Sequence, residues 1–146
     1  LSHAGFGLFI LSVIANATYS EEKIYDAKVK DILELNNYKF VFEKVNHVEG
    51  ENYNSIQAVF SLLEDNKAVK QFMPEIRFYN DPPTATSETS IIHGLFSDIY
   101  LVMNVPQYQD SISVRIHVKP FMNFIWLGVF MIIVGGMFSI IYRIKN

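Results

Sequence analysis

Charge is segregated along this chain. All 15 acidic residues and 10 of the 12 basic ones fall between Glu21 and Lys119. Leu1–Ser20 carries no Asp, Glu, Lys or Arg, and neither does Pro120–Tyr142, after which come Arg143 and Lys145. The second uncharged run, Phe121–Tyr142, has 22 residues. At the rise of an α-helix that is roughly 33 Å, enough to cross a hydrocarbon core. The first run is expected to be another span, already under way at Leu1 and so N-terminally truncated. A signal peptide is the alternative there, with Ala15-Asn16-Ala17 resembling a cleavage site. It lacks a basic start, and His3, Gly5 and Gly7 interrupt its apolar stretch.

Two spans around a charged segment make a hairpin. Arg143 and Lys145 directly follow the second span and predict a cytoplasmic end. The segment between the spans then lies outside, in the periplasm of a bacterium or the intermembrane space of a mitochondrion. The expected division is a transmembrane helix over 1–19, a β domain over 20–119, a transmembrane helix over 120–142 and a cytoplasmic tail over 143–146. Trp126 and Tyr142 suit opposite interfaces, and Pro120 suits the first turn of a helix.

The middle segment alternates with period two. Tyr38, Phe40 and Phe42 alternate with Lys39, Val41 and Glu43; Val114, Ile116 and Val118 alternate with Arg115, His117 and Lys119. Further strands are predicted at 24–30, 55–63, 69–72, 75–79 and 98–104, with turns at Glu49-Gly50-Glu51-Asn52, Glu64-Asp65-Asn66, Asn80-Asp81-Pro82-Pro83 and Pro106. Pro82–Ser90 reads as a polar loop. The fold class is therefore membrane α plus β: two transmembrane helices flanking a small all-β domain, either an OB-like barrel or a sandwich.

Composition excludes several functions. Half the residues are hydrophobic and the net charge is −3, so the chain offers no basic footprint for nucleic acid. It has no cysteine, hence no disulfide, thiolate nucleophile or cysteine-held metal. His47, His93 and His117 show no metal-ligand spacing. Glu75 and Arg77 share one face of a strand, an ordinary ion-pair spacing. Asn16-Ala17-Thr18 fits a glycosylation sequon but sits at a membrane boundary. Gly135-Gly136 marks a close helix-packing point. His3 is the exception among these residues: an ionisable side chain inside a span is a functional site by default, as a haem ligand, a proton relay or a bond to a neighbouring helix.

Taken in order, these segments resemble the C-terminal portion of the CcmF/NrfE family, whose CcmF members are the large membrane subunits of a cytochrome c haem lyase. His3-Ala4-Gly5 is similar to a family His-Leu-Gly at the start of a late helix, and Gly50-Glu51-Asn52-Tyr53 to its Gly-Pro-Asn-Tyr. Met73-Pro74-Glu75-Ile76-Arg77-Phe78-Tyr79 resembles its Leu-x-Pro-Glu-Lys-Arg-x-Tyr, one residue shorter. Ser87-Glu88 and Asp98-Ile99-Tyr100-Leu101 look like its Thr-Glu and Asp-Leu-Tyr-Val, with His93-Gly94-Leu95-Phe96 a departure before the second. The run from Val114 to Pro120, then Phe124 to Gly128 and Gly135-Gly136, resembles its last helix and the approach to it.

The resemblance implies that His3 is an axial ligand of a haem b held in the membrane. The family's other haem ligand, its periplasmic histidines and its tryptophan-rich docking loop lie upstream. This segment would supply half of one haem site and would not be catalytic alone. The implied function is support of covalent haem attachment to the cysteines of apocytochrome c in the bacterial inner membrane, or alternatively the mitochondrial one. Implied partners are the rest of the lyase subunit, a haem chaperone, an apocytochrome-handling subunit and apocytochrome c itself. Absence of cysteine suits a protein that handles substrate thiols. From another class, a two-span receptor or scaffold with an outer binding domain explains the hairpin but not His3.

Overall fold

The computed structural model describes residues 1–104 and 111–145; the expected turn at Pro106 lies outside the described residues. Elements run in the order α1 (Ser2–Tyr19), β1 (Glu21–Ala27), β2 (Ile32–Leu35), β3 (Tyr38–Glu49), β4 (Tyr53–Glu64), β5 (Lys67–Phe72), β6 (Glu75–Asn80), β7 (Pro83–Glu88), β8 (Ser90–Ile92), β9 (Ser97–Met103), β10 (Ile112–Pro120) and α2 (Met122–Lys145). By internal contact the chain divides into two units. One holds residues 1–20, 93–98 and 118–146, the other 21–92 and 99–117.

The strands form two sheets, a sandwich rather than the closed barrel that was the other expectation. A four-stranded sheet runs β1-β10-β9-β8; a six-stranded sheet runs β2-β3-β4-β6-β7, with β5 also on β4. Alternating strands bury one face each. Phe40, Phe42, Phe60 and Phe72 are fully buried in the larger sheet, as are Leu101, Met103, Val114 and Ile116 in the smaller. The rings of Phe42 and Phe60 stack with centroids 4.6 Å apart, and Phe72 meets Phe40 edge-on at 5.7 Å.

Turn chemistry fixes the hairpins. Asp65 and Asn66 both hold positive φ, 50° and 59°, as a two-residue connection with the sheet's own twist requires. Asn36 at φ 53° opens the equally short β2–β3 turn. A bulge shifts the β3–β4 register between Phe42 and Lys44, with Glu43 as the extra residue.

Three segments differ from their sequence reading. Pro82–Ser90 is not a loop: it carries β7 and begins β8. β7 pairs only with β6 at the sheet edge, and its first five residues are exposed, so no apolar alternation marks it. Pro83 takes the first position of that edge strand, where a missing N–H is tolerated. Pro120 closes β10 instead of opening a helix; Phe121 turns the corner at φ 63° and α2 starts at Met122. The chain then stays helical to Lys145, through most of the expected tail. β1 also begins and ends three residues before its expected bounds, because Lys30 leaves the strand conformation at φ 79°.

In the first unit α1 and α2 pack closely. A Cβ on Gly5 would lie 2.7 Å from that of Met131, and one on Gly128 would lie 2.8 Å from the Phe9 nitrogen. Gly135 meets Ser2 in the same way, as the Gly-Gly pair suggested, while Gly136 faces open space. Small residues at these points let the backbones approach. Asn16 of the sequon donates to the Pro120 carbonyl at 2.5 Å. Among the described residues one helix is long and apolar enough to cross a membrane, Met122–Ile144, with mean hydropathy 2.4.

Removing one aromatic from the core tests the sandwich. Phe60→Ala should destabilise the β domain by about 3–5 kcal/mol, read as a lowered urea midpoint in circular dichroism of residues 21–119. An unmoved midpoint would show that the Phe42–Phe60 stack is not its core.

Candidate functional site

The β4–β6 register brings two separate sequence motifs together. Tyr53 pairs with Tyr79, Ser55 with Arg77 and Gln57 with Glu75. Period-two alternation then sets Glu75, Arg77 and Tyr79 on one face, beside Tyr53 and Ser55. The Glu75 carboxylate is buried. Its Oε1 accepts from Arg77 Nε at 2.6 Å, and its Oε2 accepts from the Ser55 hydroxyl at 3.0 Å. A buried charge requires such pairing. The bond to Glu75, then one to Tyr79, holds the Arg77 guanidinium well above its ordinary pKa. The guanidinium lies 4.8 Å from the centroid of the Tyr53 ring, which in turn meets Tyr79 at 5.6 Å. The Gly50 N–H donates to the Tyr53 carbonyl at 2.8 Å, closing the turn that delivers Tyr53. All these groups are paired with one another, so the cluster locks the hairpin end and presents one charged, half-exposed face.

The histidines stand in different settings. His3 is exposed on α1, and no hydrogen bond or ion pair engages it among the described residues. One turn on, Gly7 leaves open space where a Cβ would stand. His47 is exposed on β3 and lines a shallow groove with Val48, Asn54 and Phe78. The basic face of β10 is balanced by Glu22 of β1, 3.4 Å from Arg115 and 3.5 Å from His117. His93 Nδ1 lies 2.9 Å from the buried Asp98 carboxylate, which also accepts from the Gly94 N–H at 3.3 Å. Among the described residues no three His, Asp or Glu side chains gather as a metal site would require.

Sequence reading found Glu75 with Arg77 but missed Ser55, Tyr53 and the His93–Asp98 pair. The first two join only through cross-strand register. The last is five residues apart, a spacing with no regular-structure meaning.

Residues 18–120 match the CcmF C-terminal beta-sandwich family. The chain belongs to the CcmF family. It is 30% identical to the cytochrome c-type biogenesis protein CcmF of Pseudomonas aeruginosa, over 99% of this chain and 22% of that protein. Identity to the CcmF of Escherichia coli is 28%, over 93% of this chain and 21% of the relative. The chain thus spans about a fifth of the length of these relatives. A solved structure of the cytochrome c haem lyase CcmF shares its fold, with TM-score 0.68 and 17% identity over 93% of this chain and 23% of the other. The resemblance carried by the sequence motifs is therefore met. The CcmF domain match runs through both motifs that β4 and β6 bring together.

The Glu75–Arg77 pair gives a sharp expectation. Arg77→Met leaves a buried carboxylate without its cation, and stability should fall. Adding Glu75→Gln to that variant should restore part of the loss, since the stranded charge is gone. Urea titrations of the single and double variants measure both. A double variant no more stable than Arg77→Met would refute the coupling.

Proposed function

We propose that this chain is the C-terminal part of a membrane haem lyase subunit of cytochrome c maturation, which ligates haem b through His3 and supports covalent haem attachment to apocytochrome c. Membership of the CcmF family carries this reading, since that match extends across the β domain while the helix before it presents His3. The residues fit the cofactor. An imidazole stands exposed on an apolar helix, and Gly7 leaves open space one turn away for a flat ring. An ionisable group in a span is costly without a partner, and iron is a strong one. Haem b, when bound, supplies a one-electron redox centre. His3 would donate its neutral ring nitrogen and set one face of that site. On this reading a second ligand would come from another helix.

On this reading α1 and α2 both cross the bacterial inner membrane, and the sandwich lies in the periplasm. α1 reaches that depth as a neighbour of α2 through the Gly5 and Gly128 contacts. Arg143 and Lys145 hold the end of α2 at the cytoplasmic face. The sandwich would position the haem chaperone, the apocytochrome-handling subunit and apocytochrome c. The chain's lack of cysteine keeps it from forming mixed disulfides with substrate thiols.

Two measurements test this reading. In the full-length protein His3→Ala should lose haem b or leave it five-coordinate, while His47→Ala and His117→Ala leave the absorption spectrum unchanged. His3→Cys should retain some haem with a shifted spectrum, because thiolate also ligates haem iron. An unaltered spectrum in His3→Ala removes the assignment. For topology, single cysteines at Lys23 and Lys145 should be labelled from opposite sides of intact membranes; labelling from one side rules out the hairpin.

A further inference from the structure

The loop joining β8 to β9 exposes two large apolar side chains, Leu95 at 72% and Phe96 at 62%. It is held to the start of α2. The Phe121 N–H donates to the Phe96 carbonyl at 2.7 Å. The Asn123 side chain in the first turn of α2 donates to the carbonyls of Gly94 at 2.6 Å and Leu95 at 3.2 Å. The Phe96 ring stacks on Phe124 at 6.1 Å. At the loop's base, Asp98 accepts from the Gly94 N–H and pairs with His93.

We propose that Leu95 and Phe96 form a lipid anchor, buried at the boundary between headgroups and acyl chains in the leaflet where α2 begins. The proposal rests on α2 crossing the membrane. Depth is its first support. Met122–Ile144 has 23 residues, roughly 34 Å of helix against a hydrocarbon core of about 30 Å. Met122 thus stands at the edge of that core. Hydrogen bonds to Phe121 and Asn123 place the loop tip at the same level. Trp126, 66% exposed one turn further on, suits that level too.

The second support is the loop's polar backbone. Three successive carbonyls, of Gly94, Leu95 and Phe96, accept bonds from within the protein. A loop tip in water would bond to solvent and need none of these. At a depth where water is scarce, backbone groups must be satisfied internally. Exposed apolar side chains on a backbone whose carbonyls are already satisfied are what a lipid surface accepts.

The chain has no cysteine, so single-site spin labels report unambiguously. Leu95→Cys and Phe130→Cys, both at exposed positions, are labelled in the 146-residue chain and reconstituted in phosphatidylcholine vesicles. Collision rates with oxygen and with a water-soluble nickel chelate are compared. The oxygen-to-nickel ratio at position 95 should exceed that of free label in buffer several-fold, and stay below that at position 130. A ratio at 95 equal to buffer, with position 130 high, overturns the anchor alone. Low collision with both reagents at 95 shows a protein cover and also overturns it. A buffer-like ratio at position 130 overturns the membrane reading and the anchor together.

Discussion

Strand β4 is the constraint from which the larger sheet follows. One of its edges pairs with β3 over ten residue pairs. Its other edge is divided: Tyr53–Gln57 pair with β6 and Phe60–Glu64 with β5. At the crossover the Ala58 N–H donates to the carbonyl of buried Pro74 at 3.0 Å. A proline fits there because the bond uses its carbonyl and asks nothing of its missing N–H. With both edges engaged, β4 leaves no free ladder for another chain. Its middle residues, Ala58 to Leu62, are buried one after another, so both of its faces are covered. Moving its register by one residue would turn Phe60 to the opposite face, away from Phe42, and separate Tyr53 from Tyr79 in the same step.

That dependence explains what could be read from the sequence. Strands with one wet face announce themselves: Tyr38–Phe42 and Val114–Val118 alternate cleanly and lie where alternation put them. β2 has four residues, too few for a period to register. β7 is exposed on both faces and consists of Thr, Ser and Ala beside a proline, a loop's composition held as a strand only by pairing with β6. The site divides the same way. Glu75 and Arg77 are two residues apart and share a strand face, which sequence alone shows. Ser55 and Tyr53 meet them through pairing across some twenty residues of chain. Long-range register is set by the whole sheet and leaves no local trace.

The helical unit rests on a different interaction, close backbone contact at glycine. On the membrane reading proposed above, two helices in lipid gain nothing from hiding apolar surface from each other, since lipid is equally apolar. Dispersion at short range remains, and it needs small residues at the contact. Gly5 against Met131 and Gly128 against Phe9 supply it. Ser2 adds a hydroxyl bond to the Ile132 carbonyl at 3.4 Å. The outer surface of α2 is left covered with Trp126, Phe130, Ile133, Met137 and Phe138, all exposed. An exposed apolar surface of that extent marks a contact with a membrane or another protein.

The geometry of α1 keeps its packed face and His3 apart. Gly5 and His3 are two residues apart, so their Cβ directions differ by about 200° around the helix. With Gly5 buried against α2, His3 is turned outward and is exposed. Gly7 follows His3 by one turn on that outward side and adds no side chain. A histidine on the packed face would have had to push the two helices apart, at the cost of the glycine contacts. On the outward face a partner to His3 would leave them undisturbed. The helix contacts at Gly5, Gly128 and Gly135 thus stay intact whatever His3 faces.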